Sequence, residues 1–170
     1  AEEGGSTSRK REALVEAARL DAAYRAVFHA PPVTPFRPSA DDAAHLLDAT
    51  LLESPAVAVV YEHSALAELR RAIMQDDRER KVELPAAWPA PRALAIVRGV
   101  EATAEIPLEA REAELLALLA THPVREALAL LERQSSSDER AHLPAKTQRW
   151  LALSVQRGWW SGMKRATPAP

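Results

Sequence analysis

Two proline-rich stretches divide this chain and limit where a regular helix can run. Four prolines fall within residues 30–38 and three within residues 84–92. Proline removes a backbone donor and clashes with the preceding helical turn, so a helix should not pass through either stretch. The charged run 76–81 before the second stretch is predicted to be solvated. We predict a domain boundary at 84–92, between an N-terminal helical domain at 8–80 and a C-terminal domain at 93–162.

The N-terminal part shows apolar residues at helical spacing. A first helix is predicted to begin after the N-cap residue Ser8 and to end before Pro31. A second follows the extended stretch, because Ser39 and Asp42 have the spacing of a capping box, and it is predicted to run to about Glu53. The predicted apolar face of the first helix consists of Leu14, Ala17, Ala18, Tyr24, Val27 and Phe28.

Residues 54–74 admit two interpretations. Ser54 followed by Pro55 resembles an N-cap with proline at the first helical position, which favours one continuous third helix. The run 57–61 is rich in β-branched residues, so the alternative is a short strand, with the helix restarting at Ser64. In both cases the helix contains Leu66, Leu69, Ile73 and Met74.

After residue 92 the pattern changes from helical to alternating. Leu94, Ile96 and Val97 form an apolar run, the pair at 98–99 is a turn signal, and residues 100–106 alternate between apolar and polar. Such a pattern predicts a β-hairpin whose second strand is half exposed.

Three helices are predicted after the hairpin. The first is opened by Pro107, and the second follows the tight turn at 121–123. The third begins near Asp138 or after Pro144 and ends before Gly158, since glycine suits the position after a helix end. The predicted fold class is mainly α with a small β-hairpin, made of the N-terminal helical domain and a winged-helix-like α+β domain.

Several kinds of catalytic site are absent from the sequence. There is no cysteine, which excludes disulfides, thiolate metal sites and cysteine nucleophiles. No two of the five histidines have the spacing that places metal ligands on one helical face, and there is no glycine-rich phosphate loop. His63 lies beside Glu62, but neighbours on a helix do not face each other. We predict that the chain is not an enzyme and holds no cofactor itself.

The sequence also lacks the features of a membrane protein. No apolar stretch approaches the roughly 18 residues that a spanning helix needs. The N-terminus opens with Glu2, Glu3, Gly4 and Gly5 instead of a basic and then apolar signal. We expect a cytoplasmic protein without a membrane partner.

Basic and aromatic side chains are concentrated near the C-terminus. Residues 146–165 include five basic residues and no acidic one, and three of the four tryptophans, Trp150, Trp159 and Trp160, lie in the same window. The tryptophans could belong to the core, the cations could contact nucleic acid, or the segment could line a peptide groove. Neighbouring side chains on regular structure do not both point inward, so at least one of Trp159 and Trp160 is expected to be exposed or bound.

Residues 93–162 resemble the PqqD-like winged-helix domains that are called RiPP recognition elements. The resemblance depends on the order hairpin, helix, turn, helix, loop, helix and on the segments 93–106, 114–131 and 149–160. With a helical half before this domain, the chain is similar to the partner subunits of methanobactin-type multinuclear iron oxidases.

This resemblance implies a function in peptide binding. The chain would be a non-catalytic partner subunit that binds the leader of a ribosomally made precursor peptide and presents it to a catalytic multinuclear iron oxidase subunit, which would hold the iron. Residues 8–80 would dock that enzyme. The leader would add a strand to the hairpin edge and lie against the last helix. The implied peptide-binding residues are Val100, Glu101, Ala102, Thr103, Ala104, Glu105, Ile106, Lys146, Arg149, Trp150, Arg157, Trp159 and Trp160.

The main alternative is a winged-helix DNA-binding transcription regulator, with residues 124–133 as its recognition helix. That helix carries Arg125 and Arg133 but also Glu126 and Glu132, which makes it a poor surface for phosphates. Nucleic acid is therefore not the expected partner. A structural adaptor without peptide recognition is a third possibility.

Overall fold

A computed structural model describes residues 3–75, 83–99 and 102–165, with side chains from residue 8 onward. Within these residues the protein is mainly helical with a small β part, which confirms the predicted class of a mainly α fold with a small β part. A 3₁₀ turn, Leu46–Asp48, joins α2 to β1. The elements in chain order are α1 (Glu3–Phe28), α2 (Ala40–His45), β1 (Ala49–Glu53), β2 (Val57–Ser64), α3 (Leu66–Gln75), β3 (Ala87–Arg98), β4 (Thr103–Leu108), α4 (Ala110–Thr121), α5 (Val124–Gln134), α6 (Ser137–Gln156) and β5 (Trp160–Arg165).

Contacts divide the chain into two compact units, each built from two separate stretches. Unit 1 contains Ala1–His29 and Ala58–Leu108, and unit 2 contains Ala30–Val57 and Glu109–Pro170. This division differs from the predicted domains at 8–80 and 93–162. The reason is that residues 87–92 of the predicted boundary are part of β3, which belongs to the same sheet as β2, so the hairpin belongs to unit 1.

The core of unit 1 forms between α1, α3 and a three-stranded sheet with the order β2, β3, β4. Leu20, Tyr24 and Val27 share one face of α1, because they follow one another at intervals of four and three residues. All three are buried and pack against the start of α3 and against Ile96 of β3. Phe28 was predicted on this face but is exposed, since one residue beyond Val27 it is rotated about 100° around the helix axis.

Unit 2 combines three long helices with a two-stranded sheet. Strands β1 and β5 pair antiparallel, with Ala49 opposite Arg165 and Leu52 opposite Gly162. Helix α4 contacts β1, α5 and α6. The side chains that fill this unit include Leu51, Leu115, Leu119, Val124, Leu131, Trp150 and Trp160, all of them buried.

The first two helices differ from their predicted lengths. Helix α1 begins at Glu3, and the hydroxyl of Ser8 donates to Glu12 inside the helix instead of capping it. Ser39 does cap α2 through a capping box with Asp42, as predicted. However, α2 ends at His45, and after the 3₁₀ turn residues 49–53 form β1, because they pair with β5.

The continuous helix favoured for residues 54–74 is wrong, and the alternative interpretation holds. Residues 57–64 form β2, and α3 starts at Leu66. The β-branched side chains of Val57, Val59 and Val60 suit a strand, and pairing with β3 provides hydrogen-bond partners for the backbone groups on one side of this segment.

The helices after the hairpin follow the predicted order. Pro107 lies in β4 and does not open a helix, and α4 starts at Ala110 after the N-cap residue Glu109. Helix α5 follows the predicted turn, and α6 starts before Pro144 at Ser137. The predicted charged run 76–81 lies outside the described residues.

Candidate functional site

Strand β4 is an edge of the three-stranded sheet in unit 1. Within the described residues β3 has a neighbour on each side, whereas β4 pairs with β3 alone. The predicted edge residues Thr103, Ala104, Glu105 and Ile106 lie in β4, and Ala102 precedes it. The remaining two, Val100 and Glu101, lie outside the described residues.

The register of the hairpin decides which backbone groups of β4 point away from the sheet. Gly99 donates its N–H to the carbonyl of Ala102 at 2.8 Å, so these two residues form a hydrogen-bonded pair. Hydrogen-bonded and non-hydrogen-bonded pairs alternate along an antiparallel ladder. Thr103 opposite Arg98 and Glu105 opposite Ile96 are therefore non-hydrogen-bonded pairs, and the N–H and C=O groups of Thr103 and Glu105 point outward.

The position of Pro107 agrees with this alternation of hydrogen-bonded and non-hydrogen-bonded pairs. It lies opposite Leu94, two residues beyond Glu105, at a position whose backbone nitrogen also points outward. Proline has no N–H, and within sheets it is confined to such edge positions because it cannot donate to a ladder. The outer side of β4 thus presents the donors of Thr103 and Glu105, and no donor at Pro107.

The side chain of Glu105 anchors this edge to both helices of unit 1. One carboxylate oxygen accepts a hydrogen bond from the hydroxyl of Tyr24, and the other accepts from the guanidinium of Arg71. The guanidinium of Arg70 lies 3.8 Å from the centroid of the Tyr24 ring. Burial, followed by the Glu105 carboxylate, raises the pKa of Tyr24 far above its ordinary value, so this hydroxyl remains a donor at neutral pH.

The other edge of the sheet, β2, is blocked at one end by a side chain of α1. One carboxylate oxygen of Glu16 accepts the backbone N–H of His63 at 2.7 Å, and the second lies 3.2 Å from Nδ1 of the same histidine. An edge amide that is bonded to a side chain is not available to another strand. The carboxylate next to His63 is thus Glu16 from a distant helix, not its sequence neighbour Glu62.

The last helix, α6, ends in a Schellman motif, which turns the chain toward β5 within unit 2. Gly158 has a φ of 71°, in the left-handed region, as its predicted position after the helix suggested. The N–H of Gly158 donates to Val155 O, and the N–H of Trp159 donates to Ser154 O, both at 3.0 Å. These are the two bonds that define the motif.

The expectation that Trp159 or Trp160 would be exposed is wrong, since both are buried. Alternation applies within a strand, but Trp159 lies before β5, in the turn that Gly158 creates, so the two rings need not point to opposite sides. The indole N–H of Trp160 donates to Ser154 Oγ at 2.8 Å. Trp150 is buried as well, so the three tryptophans belong to the core of unit 2 and not to an exposed peptide-binding surface.

The predicted basic contacts Lys146, Arg149 and Arg157 belong to unit 2, whereas β4 belongs to unit 1. The Nζ atom of Lys146 donates to the Glu109 carboxylate at 2.6 Å and lies 5.7 Å from the centroid of the Trp150 ring. The guanidinium of Arg157 lies 5.3 Å from the centroid of the Trp159 ring. Arg149 is exposed. Two of the three cations therefore cover buried tryptophans.

Two carboxylates at the start of α4 have pKa values shifted in opposite directions. The hydrogen bond from Lys146 holds the pKa of Glu109 below its usual range. Burial raises the pKa of Glu112, whose carboxylate accepts the backbone N–H of Glu109 at 3.4 Å. Both residues belong to the capping box at the start of α4, and their pKa shifts arise from the Lys146 contact and from burial, so the shifts have a structural explanation.

Within residues 3–75, 83–99 and 102–165, no group of three or more histidine, aspartate or glutamate side chains is placed to hold a metal ion. None of the helices in the same ranges has the length and apolar character required to cross a membrane. In α5, the suggested DNA-recognition helix, Arg125 pairs with Asp48 at 3.2 Å.

Sequence reasoning missed Tyr24, Arg71 and Glu16, which lie on α1 and α3 and contact the edge strands. The helical spacing identified Tyr24 only as an apolar residue, and nothing local links it to Glu105. Comparison with known proteins adds no relative, because no protein-family model, no curated protein and no solved structure matches the chain.

Proposed function

We propose that this chain is a non-catalytic subunit that binds an extended peptide by strand addition to the outer side of β4. The observation that carries the proposal is the outward direction of the backbone groups of Thr103 and Glu105 on an edge strand. Edge strands present a row of backbone donors and acceptors that pair readily with another chain, and many peptide-binding domains use them in this way.

The side chains of β4 favour an ordered edge. Glu105 is held by Tyr24 and Arg71 from two helices, so the middle of the strand is fixed before a peptide arrives. A preformed edge lowers the entropy cost of binding. The small side chain of Ala104 is exposed and leaves room beside the backbone of an added strand.

The resemblance to RiPP recognition elements supports a specific ligand. The peptide would be the leader of a ribosomally made precursor, and the catalytic partner would be a multinuclear iron oxidase that modifies it. In this proposal the chain contributes recognition, and the iron and the chemistry belong to the partner subunit.

The test compares two substitutions of one residue. Thr103→Pro removes an outward donor, whereas Thr103→Ala removes the side chain and keeps that donor. The probes are fluorescein-labelled peptides encoded by small reading frames beside the gene, and their affinity is measured by fluorescence anisotropy. We expect Thr103→Pro to weaken binding by about fivefold or more and Thr103→Ala to bind like the wild type, because a lost backbone bond costs about 1 kcal/mol or more.

Folding of each variant is checked by circular dichroism. Ala104→Pro serves as a further comparison, because the N–H of Ala104 points toward Val97 and its loss should reduce the stability of the sheet itself. Hydrogen exchange on the wild-type protein gives a second measurement that needs no substitution. The amides of Thr103 and Glu105 should gain protection when the peptide is added. Unchanged exchange at both amides, with a bound peptide, would refute strand addition at β4.

A further inference from the structure

Unit 1 contains an open cleft of about 950 Å³ between α1 and the edge strand β2. One wall is formed by residues 8–20 of α1, another by residues 59–64 of β2, and a third by residues 84–88 before and at the start of β3. The cleft lies on the edge of the sheet opposite to β4, so it is distinct from the peptide edge proposed above.

Large apolar side chains surround this cleft without being buried. Val15, Tyr61 and Leu84 line it and are 46%, 48% and 44% exposed. Trp88 lines it as a half-buried side chain. Single exposed apolar residues are ordinary on a protein surface, but several from different elements around one concavity are typical of a binding site.

The rim of the cleft carries more available positive than negative charge. Within the described residues Arg11 and Arg19 make no ion pair, and Arg9 donates only to the carbonyl of Pro85, at 2.9 Å. Of the carboxylates, Glu16 has both oxygens occupied by His63, and these hydrogen bonds do not cancel its negative charge.

Another carboxylate at the cleft, Glu62, is buried and does not contribute a free charge to the rim. It is 3% exposed and accepts the backbone N–H of Ala67 at 2.6 Å, and burial raises its pKa. This leaves Glu12 and Glu16 against Arg9, Arg11 and Arg19, so positive charge exceeds negative charge by one at the rim. A ligand with negative charge and large apolar side chains is complementary to such a surface.

The dimensions favour an extended ligand. Residues 8–20 of a helix span about 18 Å at a rise of about 1.5 Å per residue, and six residues of a strand span a similar length. A groove of this length accommodates an extended segment of about five or six residues. Glu12 and the aliphatic side chains of Val15 and Leu84 make it a poor surface for a chain of phosphates.

We propose that this cleft binds an extended protein segment that carries acidic and large apolar side chains, contributed by a partner protein. Apolar side chains of that segment lie against Val15, Leu84 and Trp88. Its carboxylates lie near Arg11 and Arg19. The surface operates independently of the proposed peptide edge, so either can be tested without the other.

The experiment uses the whole 170-residue chain and a displayed library of random twelve-residue peptides. Peptides enriched on the wild type are synthesised, and their affinity is measured by fluorescence anisotropy against two matched pairs of variants. Arg19→Glu is compared with Lys10→Glu, and Val15→Ser with Leu14→Ser. Each pair makes the same kind of change on α1, but Lys10 and Leu14 do not line the cleft and both are exposed.

We expect the enriched peptides to be rich in acidic and large apolar residues. Arg19→Glu should weaken their binding by at least about tenfold, more strongly at low salt, and Lys10→Glu by less than about twofold. Val15→Ser should weaken binding and Leu14→Ser should not. Thr103→Pro should leave this binding unchanged, which separates the cleft from the peptide edge.

Three results would overturn the proposal. In the first, no peptide is enriched, or the enriched peptides bind both members of each pair equally. In the second, all enriched peptides lose binding with Thr103→Pro and not with the cleft variants, which would assign binding to β4 alone. In the third, Leu84→Ser abolishes a concentration-dependent dimer in sedimentation analysis, which would show that a second copy of this chain covers the cleft.

Discussion

The hydroxyl of Tyr24 in α1 donates a hydrogen bond to the carboxylate of Glu105 in β4, 81 positions later in the chain. The same carboxylate accepts a hydrogen bond from Arg71 in α3. Tyr24 is 3% exposed, so its hydroxyl has little access to water as an alternative partner. One glutamate therefore links both helices of unit 1 to the strand that we propose as the peptide edge.

Tyr24→Phe should destabilise the protein by about 1–3 kcal/mol, because it removes a donor to a charged acceptor. Urea unfolding of the wild type, Tyr24→Phe, Glu105→Gln and the double variant would measure the coupling between the two residues. The effects of the two single substitutions should not add. Full additivity in this double-mutant cycle would mean that the hydrogen bond contributes nothing to stability.

Ser154→Ala should lower the free energy of unfolding by about 1–3 kcal/mol. The hydroxyl of Ser154 accepts the indole N–H of Trp160 inside unit 2, and the substitution leaves that N–H buried without its partner. Ser161→Ala is a suitable comparison, since the hydroxyl of Ser161 donates to backbone carbonyls at an exposed site. Equal stability of Ser154→Ala and the wild type in urea would contradict this account of how Trp160 is accommodated.

Gly158→Ala and Gly162→Ala should differ in their effect on stability. Gly158 has a positive φ, and a Cβ there would lie 3.0 Å from Cβ of Pro35, so we expect a loss of about 1–2 kcal/mol. A Cβ at Gly162 would meet only Cδ1 of Leu52 at an ordinary 3.6 Å. Thermal unfolding of the two variants makes the comparison. If Gly162→Ala were the more damaging, the left-handed conformation would not be the deciding factor.

Glu62→Gln should stabilise the protein at neutral pH, and the gain should disappear in acid. Burial raises the pKa of Glu62 above its value in the unfolded chain, so folding favours the protonated form. The protonated Glu62 side chain therefore stabilises the fold fully below the unfolded pKa of about 4.3. This stabilisation is lost as the pH rises through the folded pKa, where the buried side chain becomes charged.

The measurement for Glu62→Gln is urea unfolding between about pH 3 and pH 8. Glu132→Gln changes an exposed glutamate and should leave the shape of the pH profile unaltered. A Glu62→Gln gain that is the same at every pH would show that the carboxyl does not titrate differently on folding.

Signals that depend on a few neighbouring residues could be read from the sequence. The capping box of Ser39 and Asp42, the glycine after α6 and the turn before α5 are all where their patterns indicate. The alternation at 100–106 predicted the half-exposed second strand of a hairpin, and residues 103–106 of that segment lie in β4. Each of these features satisfies backbone groups within the same short segment, so no distant partner is needed to specify it.

Features that depend on distant partners were decided only by the tertiary structure. Residues 49–53 read as helix but form β1, because β5 supplies their hydrogen-bond partners. Trp159 and Trp160 are both buried because a left-handed glycine, not the alternation of a strand, sets the direction of the chain before them. The partners of Glu105 are Tyr24 in α1 and Arg71 in α3, and both are too far away in sequence to be identified from a local pattern. The physical reason is common to all three: a local pattern specifies how a segment can fold, and contacts far away in sequence select among those possibilities.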